Sequence, residues 1–238
     1  MKLYPFIYKL HKWFSIIVGI QLLLWVLSGL YMTAVPISYV HGDHLRDKSI
    51  PEVMNFSSLP GEIRPVLTEL GQTEVVDVRL FQRQGSAVYQ VKTTATSMLI
   101  AADTGAVIAN LEQPQAIEIA QQAYQGNGGV VSAVEITSYE EVPEIKGRKL
   151  PIWQVNFDDW VNTSLYVSNT EAKVITARSD IWRVFDFLWM LHIMDYDERE
   201  DFNNPLVIFM ASAGIFMVLS GAVLLINGMQ RRGISYFK

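Results

Sequence analysis

WFSIIVGIQLLLWVLSGLYMTAV, residues Trp13 to Val35, runs without a single charged side chain. At ~1.5 Å of rise per residue, a helix of that length crosses the ~30 Å hydrocarbon core of a bilayer. A cleavable signal peptide has a shorter apolar stretch, so the run reads as a permanent span. No charge follows until Asp43, and Pro36 stands where the helix should stop. Working outward, a second apolar run from Leu206 to Ile226 follows Asn203-Asn204-Pro205, a favourable helix start with proline in the first turn. The expected fold class is therefore a membrane α+β protein, two transmembrane helices flanking a polar middle.

The chain has 238 residues, 50% apolar and 18% charged, with a net charge of −5 and no cysteine. Lack of cysteine excludes a disulfide framework, Cys-ligated zinc, iron–sulfur clusters and thiol catalysis. All 24 acids lie between Asp43 and Asp201, whereas Lys2, Lys9, Lys12, Arg231, Arg232 and Lys238 sit on the two outer flanks. Both termini are thus expected in the cytoplasm and the middle outside. That middle, residues 37–204, holds 13 basic residues against the 24 acids, a net of −11. Such an acidic surface argues against nucleic acid. The nearest approach to a phosphate loop, Gly126-Asn127-Gly128-Gly129, lacks the G-x-G-x-x-G spacing and the following lysine, so no nucleotide site is expected.

The middle repeats itself. Val88-Tyr89-Gln90-Val91 recurs as Ile152-Trp153-Gln154-Val155. Each is followed by a strand-like run (Ser97 to Ala101; Ser164 to Val167), a turn (Asp103-Thr104-Gly105; Asn169-Thr170-Glu171) and a final short run (Ala106-Val107-Ile108; Lys173-Val174-Ile175). Each is preceded by a helical pattern (Leu59 to Leu70; Pro114 to Tyr124) and a strand (Val75 to Arg83; Val130 to Ser138). A period near 65 residues fits two small α+β modules with antiparallel sheets. The expected parts are 1–36 for the N-terminus and first span, 37–57 for a linker, 58–111 and 112–178 for the repeats, 179–204 for an amphipathic helix and acidic loop, and 205–238 for the second span and basic tail. Gly214, Gly221 and Gly228 at heptad spacing, and the pair Ser15 and Gly19, offer small surfaces for close helix packing, within the chain or in a homodimer.

A helix followed by strands, one with an aromatic-Gln-Val core, and a D-T-G turn resembles the PepSY domain. Leu10-His11-Lys12-Trp13 with Ser28-Gly29-Leu30, and Leu191-His192 with Ser220-Gly221, resemble the PepSY-associated transmembrane family. In layout the chain looks most like the VciB-type inner-membrane ferric reductases. The resemblance spans essentially the whole chain. It implies two PepSY-like helix/antiparallel-sheet repeats in the periplasm, ferric reductase activity with haem as an electron carrier, and a ferrous iron transporter as functional partner.

The four histidines avoid the repeated strands: His11 lies at the first span, His41 and His44 just past it, and His192 ahead of the second. The pattern over Ile181 to Met194 predicts an amphipathic interfacial helix carrying His192, with Asp195 at i, i+3 to orient the imidazole. Imidazole pairs beside aromatic walls suit six-coordinate haem b. From His11 to Pro36 is ~38 Å if helical, so one cofactor cannot join the two faces. Two haems could, an inner one held by His11 of two chains and an outer one by His44 and His192. In an alternative without haem, His44, His192, Asp43 and Asp195 take iron directly, with His41 beside them. His11 also reads as an interfacial anchor, and His41 as a solvated loop residue. With no nucleotide motif, the electron donor must be external: a quinol, or a reduced flavin or protein.

The acidic runs Glu140-Glu141, Asp158-Asp159 and Asp195 to Asp201 read as solvated faces or as oxygen ligands for loosely held iron. Trp153 and Trp160 read as sheet packing, and Gln21 as a hydrogen-bonding group between membrane helices. No catalytic nucleophile is apparent. The competing function is a non-enzymatic PepSY-type binding or regulatory protein that restrains a peptidase or senses a ligand.

Overall fold

The computed structural model describes residues 3–47, 67, 68, 71, 75–94 and 97–232. The chain divides into a helical unit, Met1–Ile37 with Arg183–Lys238, and a sheet unit, Ser38–Trp182.

The helical unit is built on α1 (Leu3–Ala34) and on the last helix, α5 (Pro205–Arg232). Within them, Tyr8–Ala34 and Pro205–Gln230 are long and apolar enough to cross a membrane. The two helices pack antiparallel along one seam. Phe14 meets Phe216 edge to face at 5.7 Å, and Gly214 leaves room for Leu22. Val18, Ser28 and Ala213 are buried, while Ile17, Val26, Phe209 and Leu225 point their apolar side chains outward. An apolar exterior of this kind would be costly in water and favourable against lipid. Gly214 and Gly221 sit on this seam, but Gly19 and Gly228 have open space where a Cβ would be. Only part of each small-residue stripe is therefore used for packing within the chain.

The sheet unit carries two four-stranded antiparallel sheets of the same order, β1-β2-β3-β4 and β5-β6-β7-β8. The first comprises β1 (Val75–Arg83), β2 (Ser86–Thr93), β3 (Ser97–Ala101) and β4 (Val107–Ile108). The second comprises β5 (Val130–Ile136), β6 (Ile152–Phe157), β7 (Ser164–Ser168) and β8 (Val174–Arg178). The repeated Q-V segments occupy the second strand of each sheet in matching register: Gln90 opposes Leu99 and Gln154 opposes Tyr166. Between the sheets in sequence runs α3 (Gln113–Ala123), with Pro114 in its first turn and the Gln115 side chain accepting the Glu112 amide at 3.0 Å. The helical pattern over Leu59 to Leu70 falls almost wholly outside the described residues.

Strand β7 shows why the second module is solid: all five of its residues are buried. Leu165 and Val167 face α3, in a core with Ala120, Val155 and Ala177. Tyr166, on the opposite face, joins Ile136, Ile145 and Ile152, and its hydroxyl donates to Glu144. Trp153 donates its ring N–H to the Leu111 carbonyl at 3.1 Å. Trp160 departs from the expectation of sheet packing: it lies in the loop after β6 and is 82% exposed.

Candidate functional site

In the helical unit, two of the candidate histidines have the same surroundings. His11 on α1 meets Ser220 on α5, Nδ1 to Oγ at 2.7 Å. His192, on α4 (Asp180–Ile193), meets Ser28 on α1 at 2.8 Å, again through Nδ1. Glycine follows each serine. A Cβ on Gly221 would come within 3.2 Å of His11 Cε1, and one on Gly29 within 3.7 Å of His192 Cε1. The pairing is reciprocal: each Leu-His element finds the Ser-Gly of the other half of the unit.

The helix backbone and the imidazole compete for each serine proton. Ser28 Oγ donates to the Leu24 carbonyl at 2.7 Å and to that of Trp25 at 3.1 Å, and Ser220 Oγ donates to the Met217 carbonyl at 3.0 Å. A hydroxyl has one proton and two lone pairs. With that proton committed to the helix, the serine can only accept from the imidazole. A neutral histidine that donates from Nδ1 in this way presents the Nε2 lone pair, the state that ligates a metal. On α1, the two stations at positions 11 and 28 lie 17 residues apart, ~26 Å along the helix.

Aromatic rings stand beside both stations. Trp25 is 6.4 Å from the His192 ring, and Phe14, one turn after His11, packs on Phe216. The Trp25 ring N–H and Gln21 Nε2 are buried with no hydrogen-bond partner among the described residues. Among the described residues, Gln21 thus does not form the expected bond to the other helix.

Asp195 does not orient His192. The i, i+3 spacing requires helix through Asp195, but α4 ends at Ile193 and Met194 takes φ +56°. The Asp195 carboxylate instead accepts the backbone N–H groups of Asp197, Glu198, Glu200 and Asp201 at 3.0–3.3 Å. The Asp201 bond is the foremost cause holding its carboxyl below the usual range. Arg199 pairs with Asp186, and Trp189 donates to the Arg199 carbonyl at 3.0 Å. The acidic run is thus a loop wound around its own first carboxylate.

His41, Asp43 and His44 belong to the sheet unit. They follow the short helix α2 (Ile37–Val40), which ends in a Schellman turn: Gly42 N–H bonds the Tyr39 carbonyl at 3.1 Å and Asp43 N–H bonds that of Ser38 at 3.0 Å. Gly42 adopts φ +67° with Ala177 close behind it, which explains a glycine between His41 and Asp43. His44 stacks on Tyr39 at 3.7 Å. Burial lowers its pKa, while Asp43 and Asp159 oppose that shift. His41 is exposed.

Asp159, noted in the sequence only as part of an acidic pair, organises the next loop. It accepts from the Tyr124 hydroxyl at 2.8 Å, the Thr163 hydroxyl at 2.5 Å, the Thr163 amide at 2.9 Å and the Val161 amide at 3.3 Å. Burial alone would raise its pKa; the Thr163, Tyr124 and Val161 bonds outweigh that and hold it low. Burial also leads in pushing Tyr124 up to about 12. Among the described residues, no three histidine or acidic side chains converge into a metal cage.

The sequence alone assigns Ser28 and Ser220 no role. The signal available was their placement beside glycine on the two apolar helices. Comparison of the chain with protein-family models, curated proteins and solved structures finds no match to any of them.

Proposed function

We propose that this chain is an inner-membrane ferric reductase of the PepSY-associated transmembrane type. It acts as a homodimer that passes electrons across the bilayer to reduce periplasmic Fe(III) to Fe(II) for a ferrous iron transporter. The observation that carries the reading is the reciprocal pairing of His11 with Ser220-Gly221 and of His192 with Ser28-Gly29, at two levels ~26 Å apart along α1.

The donor chemistry fits haem b. Each histidine is held at Nδ1 by a serine, each has aromatic rings nearby, and two buried donors lack acceptors among the described residues. His11 and His192 would each hold a haem through a ring nitrogen, with the matching histidine coming from the second chain of a dimer. Haem b bound there supplies one-electron transfer at each level. Ser28 and Ser220 hold the rings in the ligating tautomer, while the apolar seam between them excludes water. A quinol, or a reduced flavin or protein, gives the electrons on the basic side. Ferric iron accepts them as substrate on the acidic side, where the His41-Gly42-Asp43-His44 turn offers nitrogen and oxygen donors.

The test is an optical spectrum of the detergent-purified protein before and after dithionite, with extracted pigment counted per chain. A Soret band that shifts on reduction is expected, with His11→Ala and His192→Ala each losing part of the pigment. A colourless protein from haem-replete cells would overturn the reading in favour of a regulatory module.

A further inference from the structure

The sheet unit contains a cleft of about 380 Å³ between the loop before β6 and the turn joining β7 to β8. Its charge runs against its surroundings. Although residues 37–204 have a net charge of −11, the cleft is lined by Arg148, Lys149 and Lys173 against a single acid, Glu171. Glu171 is already shared, with Lys173 at 2.9 Å and Arg79 at 3.7 Å. Arg148 and Lys149 have no carboxylate partner among the described residues.

Both walls are held in place. The Arg148 amide bonds the Ile145 carbonyl at 3.1 Å, and the Arg148 carbonyl accepts the Tyr139 hydroxyl. Opposite, the Ala172 amide bonds the Ser168 carbonyl at 2.9 Å. Ser168 Oγ accepts the Glu171 amide at 3.1 Å, which leaves its own proton to donate into the cleft beside Thr170. Cations and hydroxyl groups carried on walls held by backbone hydrogen bonds, around a cavity of this size, fit a small anion with several acceptor groups. No aromatic side chain lines the cleft to stack a nucleobase, and the acidic surface around it would repel a long polyanion. A lone phosphate would leave much of the space empty.

We propose that this cleft binds a small polycarboxylate. Net charge had argued for loosely held iron, but charge at the cleft favours a carboxylate chelate. If the reductase reading holds, the ferric chelate is the natural occupant; the site itself rests on the sheet unit alone.

Calorimetry on the purified full-length chain at constant ionic strength tests this with iron-free citrate and with its redox-inert gallium chelate. Saturable binding is expected for at least one. Arg148→Gln with Lys149→Gln should weaken it by about tenfold or more, and the charge-keeping Arg148→Lys with Lys149→Arg should retain most of it. A stronger response to the chelate assigns the metal-loaded form, and equal responses assign the free acid. No binding of either at about 10 mM, equal heats from acetate or inorganic phosphate, or indifference to the charge-removing pair would overturn the proposal. None of these readouts involves haem or electron transfer, so failure here is separable from failure of the reductase reading.

Discussion

The hydroxyl of Ser28 lies within hydrogen-bond reach both of its own helix and of a histidine 164 positions away. Ser28→Ala should cost about 1 kcal/mol, seen as a lower melting midpoint in detergent, and should leave His192 free to exchange tautomers. In the proposed haem-loaded form it should also move the midpoint potential, and Ser28→Thr should restore both. The two glycines beside the serines predict a contrast. Alanine in a helix gains up to about 1 kcal/mol over glycine. Gly29→Ala meets His192 at an ordinary 3.7 Å and should keep that gain; Gly221→Ala meets His11 at 3.2 Å and must displace the ring. Melting curves should therefore rise for the first variant and stay level or fall for the second. His44 predicts a pH effect. Its charged form is disfavoured in the fold, so the unfolded chain takes the proton first. Its contribution is complete above the ordinary value of 6.5 and is lost as pH falls through the lowered folded value. A nuclear magnetic resonance titration should find its midpoint below 6.5. The histidines were legible by type and position; their partners were not, because nothing local in a sequence aligns position 11 with 220.

Strand periodicity and turn residues made the two sheets readable, since alternation and hairpin chemistry are short-range properties. Loops were less readable, because their geometry depends on which carboxylate captures which amides. Asp159 is the clearest case, with four donors from three residues on one side chain. Asp159→Ala leaves those donors unmet and should cost about 3 kcal/mol in chemical denaturation; Asp159→Asn keeps one acceptor oxygen and should cost less. Leu165→Ala, at a fully buried position in β7, should cost a similar ~3 kcal/mol through the cavity it opens. Asp195 shows how an element boundary overrules spacing: an i, i+3 argument holds only while the helix continues, and α4 stops at Ile193.

At the scale of the whole chain, the absence of cysteine is an experimental gift. Single cysteines can be introduced without a background, and the proposed orientation predicts their labelling. Ser86→Cys, in the sheet unit, should react with a membrane-impermeant maleimide on intact spheroplasts. Gln230→Cys, at the far end of α5, should react only after the membrane is opened. The reverse pattern would invert the topology and with it the direction of electron flow. The reciprocal histidine pairs also bear on how the chain is made. His11 and Ser28 leave the ribosome early, yet their partners lie 209 and 164 residues downstream. The first helix must wait, the inter-helix contacts of His11 and Ser28 unmade, until the segments carrying Ser220 and His192 have been synthesised. A prematurely terminated product would keep those groups bare, giving cellular surveillance a ready mark by which to recognise an unfinished molecule.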